Sequence, residues 1–380
     1  MPVGATDPVP LTIGHTIYAF KEGGMERGLL NIVNYGRHDR FRHVILCLTE
    51  AGEFARQLRS PSCRVIEFHK KPGNDFRLAS RIAQTVRECG VSILHARGWP
   101  TLLETAFAAR LAGIDATIYG FHGKTVNELA GLGAMRIIAQ AAALRMYRRV
   151  VTLNSRMRIE LAREAFMSQD RLQVIANGVD LEIFRPREDS AALRAQYGLP
   201  PGRFIVGNIA RLDPVKNHEV ILRALSRFRS RIERPYFLLV GEGEHRPVLE
   251  SAIRQLDLGD DVRLMGYSNQ IADLLNCMDV YVQSSFYEGF SNTILEAMSS
   301  GLPILGTDVG GTGDLFSDRR EGYFFHPGDD SALAGLLRYF QADPKKSAEM
   351  GRAARSRAVE LFSIERMVRT YEGMYSGLVS

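Results

Sequence analysis

The sequence predicts an α/β protein made of two doubly wound domains in tandem, each a parallel sheet covered by helices. Three observations carry that prediction. From Thr12 to about Asn177, short runs rich in β-branched and aromatic residues alternate with helical patterns. The stretch NGVDLEIFRPRED, Asn177 to Asp189, then breaks the alternation with an Asn-Gly turn and Pro186 among charges. A second alternation begins at Phe204. Strands separated by helices of roughly 10 to 15 residues require crossover connections, which are right-handed and lay the strands parallel. The domains are therefore expected at 1–185 and 186–362, and no internal repeat or low-complexity tract is evident.

In the first half the strand-like runs are TIGHTIYAF, HVILCLT, VIEFH, SILHAR, TIYGFHG, RVVTLN and LQVIA. Helical patterns follow Gly24, run from Phe76 to Cys89, from Thr101 to Ala112 and from Gly133 to Arg148, and begin again at Ser155. In the second half FIVGNIAR, YFLLVG, VRLMG and VYVQ read as strands, with helices from Asn217, from Pro247 and near Ile271. Ser291 then reads as an N-cap, Asn292 to Ser300 as a helix, Gly301 as its C′ residue and Leu302 to Leu305 as the next strand. A last helix is expected from Ser363 to about Leu378.

Composition bounds the function classes. A chain of 380 residues suffices for about two domains of ordinary size. With 45% hydrophobic and 24% charged residues it reads as globular rather than disordered. The net charge of +5 and pI near 9.0 permit attraction to phosphate or an anionic membrane surface without demanding it. The basic residues are spread along the chain, so nucleic acid is not indicated. Cys47, Cys63, Cys89 and Cys277 have no C-x-x-C spacing, which fits a reducing compartment. The stretch MPVGATDPVP has neither a basic start nor an apolar run of signal length, and no window approaches 18 apolar residues. A cytoplasmic protein is expected.

The densest chemistry lies in SSFYEGFSNTILEAMSSGLPILGTDVGG, Ser284 to Gly311. On a helix, Asn292, Glu296 and Ser300 share one face, while Ile294, Leu295 and Met298 turn towards a sheet. Glu288 falls in the turn before that helix, ahead of Gly289 and the amides of Phe290 and Ser291. A ligand there meets a carboxylate and free N–H groups together, which suits a polyhydroxyl group bearing a phosphate. Arg211 and Lys216 follow the strand FIVGNIA, where a guanidinium and an ammonium can enclose a diphosphate and neutralise its growing charge as a glycosidic bond breaks. Gly23 and Gly24 let backbone approach a diphosphate or acceptor at a helix N-terminus. GGMERG is not G-x-G-x-x-G, so an NAD-linked oxidoreductase is disfavoured. Gly241-Glu242-Gly243 is half of such a fingerprint. His122, at a strand end, is the acid/base or transition-state candidate; His95 and Arg97 sit at the neighbouring strand end, towards an acceptor. There is no D-x-D triplet and no His/Cys cluster with metal spacing, so neither metal nor cofactor is expected.

The pattern E-G-F-x-x-x-x-L-E-A-M-x-x-G-x-P, with R-x-x-x-x-K-N before it, resembles the signature of the retaining GT-B glycosyltransferases of group 1 (family 4 type). The resemblance implies two Rossmann-like domains facing a cleft, with the last helix, 363–380, returning to the first domain. It implies that Glu288 and the amides after it hold the donor sugar, that Glu296 holds the ribose diol, and that Arg211 and Lys216 hold the diphosphate. Gly23, Gly24, Gly243, the backbone around Tyr267 and Ser268, and Asn292 would complete the donor site. Asp314, with a side chain one methylene shorter, stands where the family more often has Glu.

The expected reaction is transfer of a hexose from a nucleoside diphosphate sugar, UDP ahead of GDP, to a sugar or lipid-linked sugar acceptor, with no protein nucleophile. LLNIVNY, IANGVD and EGFSNTILEAM are most similar to bacterial exopolysaccharide-assembling transferases, which implies an acceptor at the inner membrane face. The basic segment 133–149, with Met135, Ile138, Ala142 and Met146 among Arg136, Arg145, Arg148 and Arg149, either rests on that surface or packs its apolar side on the core. The alternatives are a nucleotide-sugar epimerase of the same fold and a catalytically silent nucleotide-sugar-binding protein.

Overall fold

The computed structural model describes residues 10–21, 23–71, 75, 77–123 and 134–379. The chain forms two compact units, one of Met1–Gly178 with Ile364–Ser380, the other of Val179–Ser363.

The first unit holds seven parallel strands, β1 (Leu11–Ile17), β2 (Phe41–Cys47), β3 (Arg64–Glu67), β4 (Ile93–Arg97), β5 (Thr117–Phe121), β6 (Arg149–Thr152) and β7 (Leu172–Val174), in the order β3-β2-β1-β4-β5-β6-β7. The second holds six, β8 (Ile205–Ile209), β9 (Tyr236–Val240), β10 (Val262–Gly266), β11 (Val280–Gln283), β12 (Ile304–Thr307) and β13 (Gly322–Phe325), in the order β10-β9-β8-β11-β12-β13. Both are doubly wound parallel sheets, as the alternation predicts. β13 and the helices Asp330–Ala342 and Pro344–Leu361 are elements the sequence reading did not single out.

Each sheet is built outwards in two directions, from β1 and β4 in the first unit and from β8 and β11 in the second. The loops after such a strand pair leave on opposite faces of the sheet and open a crevice at the strands' carboxyl ends. The crevice positions are thus fixed by topology: the β1/β4 ends in one unit, the β8/β11 ends in the other.

The strands are buried on both faces, so their runs read as continuously apolar rather than alternating. In the second unit the core joins Val206, Phe237, Leu239, Val280, Val282 and Leu305 to helix residues such as Val220, Ile221 and Leu337. In the first unit, helix Ile364–Val379 contributes Ile364, Met367, Val368, Tyr371, Met374, Tyr375 and Leu378 to a cluster with Ile13, Ile93, Ile118 and Val151. Burial of side chains of this size stabilises by about 1.5–3 kcal/mol each before entropy is counted, so the C-terminal helix is an integral part of that unit's core.

Helix Ala134–Leu144 is shorter than expected. Gly133 lies outside the described residues, and the Arg148 amide already donates to the Thr117 carbonyl at 3.1 Å, which draws the chain into the sheet before the predicted end. Gln140, Ala141, Ala143 and Leu144 are its buried face, whereas Ile138 is 65% exposed. The side chains of Met135 and Arg136 lie outside the described residues. Among the described residues no helix is long and apolar enough to cross a membrane.

Candidate active site

In the second unit the predicted donor residues follow β8 and β11, the two strands that define its crevice. After β8, Asp213 caps a short 3-10 turn, Pro214–Lys216, by accepting from the Val215 amide at 3.0 Å. Asn217 then takes a left-handed conformation (φ 51°) and donates to the Ser284 carbonyl at 3.2 Å. Ser284 Oγ donates back to the Lys216 carbonyl at 2.8 Å, and the Phe286 amide to the Val215 carbonyl at 2.8 Å. Three bonds therefore lock the β8 loop to the β11 loop.

That lock brings the Lys216 ammonium to Glu288, with Nζ donating to Oε2 at 2.6 Å. The same oxygen accepts from Gln283 Nε2 at 2.6 Å and Ser285 Oγ at 3.4 Å. Glu288's backbone is held too. Its carbonyl accepts from the Gly311 amide at 3.0 Å, and Gly310, at φ +52°, passes so close to that carbonyl that a side chain would collide with it.

Gly289, Phe290, Ser291 and Asn292 follow, all but Ser291 half-exposed. Ser291 Oγ accepts from the Ile294 amide at 3.3 Å and starts helix Asn292–Ser299, which Gly301 leaves at φ +79°. Ile294, Leu295 and Met298 are buried as expected, and Glu296 is half-exposed on the polar side. Ser300 departs from expectation: at the helix's C-cap it is only 6% exposed, so it does not extend the outward polar stripe. Beneath the two carboxylates lies Tyr281, whose hydroxyl donates to Thr293 Oγ1 at 2.8 Å or the Ile209 carbonyl at 3.2 Å. Burial, with the fields of Glu296 and Glu288, pushes its pKa upward.

Arg211 is held less tightly than Lys216. Its guanidinium pairs with Asp213 at 2.8 Å and its side chain is 69% exposed, so it remains accessible to a ligand. Its loop is positioned by glycine: Gly243 lies against the Leu212 carbonyl and Gly241, at φ +139°, against the Ala210 carbonyl, each too close for a Cβ. The Leu212 amide donates to the Glu242 carbonyl at 2.9 Å. Tyr267 is 67% exposed, and Ser268 Oγ accepts from the Gln270 amide at 3.1 Å. Asp314 is half-exposed, and its carbonyl accepts from Arg357 at 3.2 Å. Sequence reasoning missed Gln283, Ser285 and Asp213. Their signal is weak, because only the fold shows that a polar residue ending β11 points at Glu288.

In the first unit, Gly23 and Gly24 open helix Gly24–Tyr35 after β1. The space beside Gly23 is filled by the carboxylate of Glu26, folded back over its own helix's first turn. Burial raises the pKa of Glu26, opposed by its own backbone amide and by Arg97. Arg97 ends β4 and His95 lies two residues before it, and they are 1% and 0% exposed. His122 follows β5, and both its ring nitrogens are buried without a partner. Burial and the Arg97 charge lower its pKa to about 3, so it is a neutral imidazole near pH 7. Among the described residues there is no group of three His, Cys, Asp or Glu that could hold a metal ion.

Two doubly wound sheets, with Lys216 and Glu288 joined at the crevice of the second, define the GT-B class of glycosyltransferases. Residues 189–357 match the family described as Glycosyl transferases group 1, residues 22–183 match Glycosyltransferase Family 4, and the chain belongs to the group-1 glycosyltransferases. It is 27% identical over 316 residues to N-acetyl-alpha-D-glucosaminyl L-malate synthase of Bacillus anthracis, covering 80% of this chain and 79% of that protein. It is 26% identical over 324 residues to the UDP-Gal:alpha-D-GlcNAc-diphosphoundecaprenol alpha-1,3-galactosyltransferase of Escherichia coli, covering 83% and 82%. The crystal structure of Anabaena HepE in complex with UDP shares the fold, with a TM-score of 0.86 at 22% identity over 97% of this chain and 100% of that one.

Proposed function

We propose that this glycosyltransferase moves a hexose from UDP to a saccharide or lipid-linked saccharide with retention at the anomeric carbon, and that it needs no metal ion. The observation that carries the reading is the Lys216–Glu288 pair, 2.6 Å apart at the β8/β11 crevice, with the exposed Arg211 on the same loop. Lys216 has three N–H donors and uses one on Glu288, leaving others for the diphosphate while it offsets repulsion between carboxylate and phosphate. Glu288 then holds sugar hydroxyls, and Glu296 the ribose diol. Arg211 and Lys216 take up the charge that appears as the anomeric C–O bond to the diphosphate breaks, which is the task a divalent ion performs in other designs. The new C–O bond forms on the same face, and the acceptor hydroxyl proton passes to the departing phosphate oxygen. His122, neutral near pH 7, serves as an uncharged hydrogen-bond partner in the reaction rather than as a general acid.

The UDP bound to HepE supports UDP as the nucleotide. The names of the two relatives place a hexosamine on L-malate in one case and a galactose on a diphosphoundecaprenol-linked sugar in the other, so the family does not fix the acceptor. A role in exopolysaccharide assembly rests on the sequence resemblance. A peripheral membrane contact is supported by a stripe on helix Leu102–Ala112, where Leu103, Phe107 and Leu111 are 39%, 52% and 55% exposed at four-residue spacing. Exposed Arg110 lies on the same helix, and Arg145, Arg148 and Arg149 are exposed as well.

The test is a melting-temperature panel of UDP- and GDP-sugars followed by product analysis with and without a saccharide acceptor. A UDP-hexose that raises the melting temperature and is consumed only with acceptor is the expected result. Conversion of the donor alone would make the protein an epimerase, and binding without turnover a silent receptor.

A further inference from the structure

At the end of β4, beside the crevice of the first unit, lies a buried cation that forms no ion pair among the described residues, although its charge is felt by the Glu26 carboxylate. It is Arg97, 1% exposed. Its guanidinium has the hydroxyls of Tyr371 and Tyr375 as hydrogen-bond partners and its Nη2 lies 3.5 Å from His95 Nδ1, but these groups are neutral, and its Nε is buried without a partner. Burying an unpaired charge costs several kcal/mol, and cores that keep one do so at functional sites.

The surroundings are short of partners too. His15 on β1 bonds His43 on β2 at 3.0 Å, and His95 bonds the Tyr375 hydroxyl at 3.2 Å. That leaves His15 Nδ1, His95 Nε2 and both nitrogens of His122 buried and unsatisfied. His95 Nε2 and His122 Nε2 draw together over Gly120, since a Cβ there would lie 3.3 Å and 2.9 Å from them. The carboxylates facing the cluster are already engaged: Glu26 folds over its own helix, and Glu372 accepts from the Arg37 amide at 2.7 Å. The other titratable groups nearby are His38, Tyr371 and Tyr375. One fixed positive charge, ringed by imidazoles that can accept or donate and set where topology places a ligand, is a receptor for a negatively charged group.

We propose that Arg97, with His95 and His122, binds an oxyanion, the phosphate or carboxylate of the acceptor substrate. The proposal rests on the transferase reading above, and extends it by naming an acceptor with an anionic group beside its attacking hydroxyl. Binding supplies a counter-ion to Arg97 and partners for the unsatisfied nitrogens, so the anion fixes the acceptor's orientation.

The experiment uses the full chain carrying Arg211→Ala and Lys216→Met, which silences the other phosphate site, with inorganic phosphate and malonate as probes. Histidine ring 15N–1H spectra should show the His95 and His122 signals moving as either probe is added, and whichever binds more tightly separates a phosphate from a carboxylate acceptor. Adding Arg97→Met should weaken the anion by about tenfold or more, the loss expected of a charge-assisted contact. A variant that does not fold leaves the spectra without Arg97→Met as the deciding measurement. Signals of His95 and His122 that stay fixed while other resonances shift, or anion affinity unchanged in Arg97→Met, would overturn the proposal. UDP titration of the unmodified chain stands apart: its failure would count against the donor site and leave the anion result intact.

Discussion

Lys216 Nζ and Glu288 Oε2 lie 2.6 Å apart although 72 residues separate them, and the carboxylate oxygen that takes the ammonium also takes Gln283. One loop-to-loop lock thus preassembles a cation and an anion, which on the proposed function would spare the reaction the reorganisation that water would demand.

Removing either member of the pair should be costly in the reaction. For Glu288→Ala the loss is roughly 2–4 kcal/mol, on the order of a hundredfold in kcat/KM, if the sugar contact persists to the transition state. Transfer within threefold of wild type would take Glu288 out of the site.

Gln283→Leu keeps the β11 packing and removes one donor to Glu288. Donor-sugar affinity is expected to fall about tenfold, near 1.4 kcal/mol, while affinity for UDP alone holds, since Gln283 addresses the carboxylate and not the nucleotide. Paired calorimetric titrations with UDP-hexose and UDP check the split; an equal loss for both ligands contradicts it.

Arg211→Ala acts on the nucleotide end. The side chain is 69% exposed, so stability should be nearly unchanged while UDP affinity drops by about tenfold or more. An unaltered UDP isotherm argues against a phosphate role.

Gly310→Ala tests the backbone grip on Glu288. A left-handed φ of +52° costs an L-residue about 1–2 kcal/mol, and the new Cβ would press on the Glu288 carbonyl. Both the melting temperature and donor affinity are expected to fall, and a variant as stable as wild type would show that the loop can relax.

Stability should depend on pH through buried histidines. His43 and His122 titrate at about 3 in the folded chain, against 6.5 when exposed, and His218 at about 4, each chiefly because burial disfavours the charged ring. The unfolded chain then binds protons that the folded chain refuses, so stability is fully present above pH 6.5 and declines as pH falls towards 4. Each such histidine contributes up to about 1.4 kcal/mol per pH unit in that window. Urea unfolding at pH 7.5 and 5.5 measures it, and equal midpoints at both would contradict the burial of these rings as neutral groups.

Much of the fold was legible because parallel strands buried on both faces announce themselves as apolar runs, and the crossover rule then leaves little freedom. The site was legible only where residue type and turn chemistry coincide, as in Glu288-Gly289 and the Ser291 cap. Gln283 was not, since a polar residue ending a strand carries no sign of what it faces. Nor was the burial of Arg97 and His95, because a strand end in sequence does not reveal whether another helix covers it, and here Tyr371 and Tyr375 do.

Local pattern by itself therefore determined two doubly wound sheets and the turn and cap around Glu288 and Ser291, since hydrophobic periodicity and capping act between near neighbours in the chain. Which strands stand side by side, which loop locks to which, and which cation lies buried with no ion pair among the described residues were decided by tertiary structure, because those relations join residues dozens to hundreds of positions apart and are set by packing.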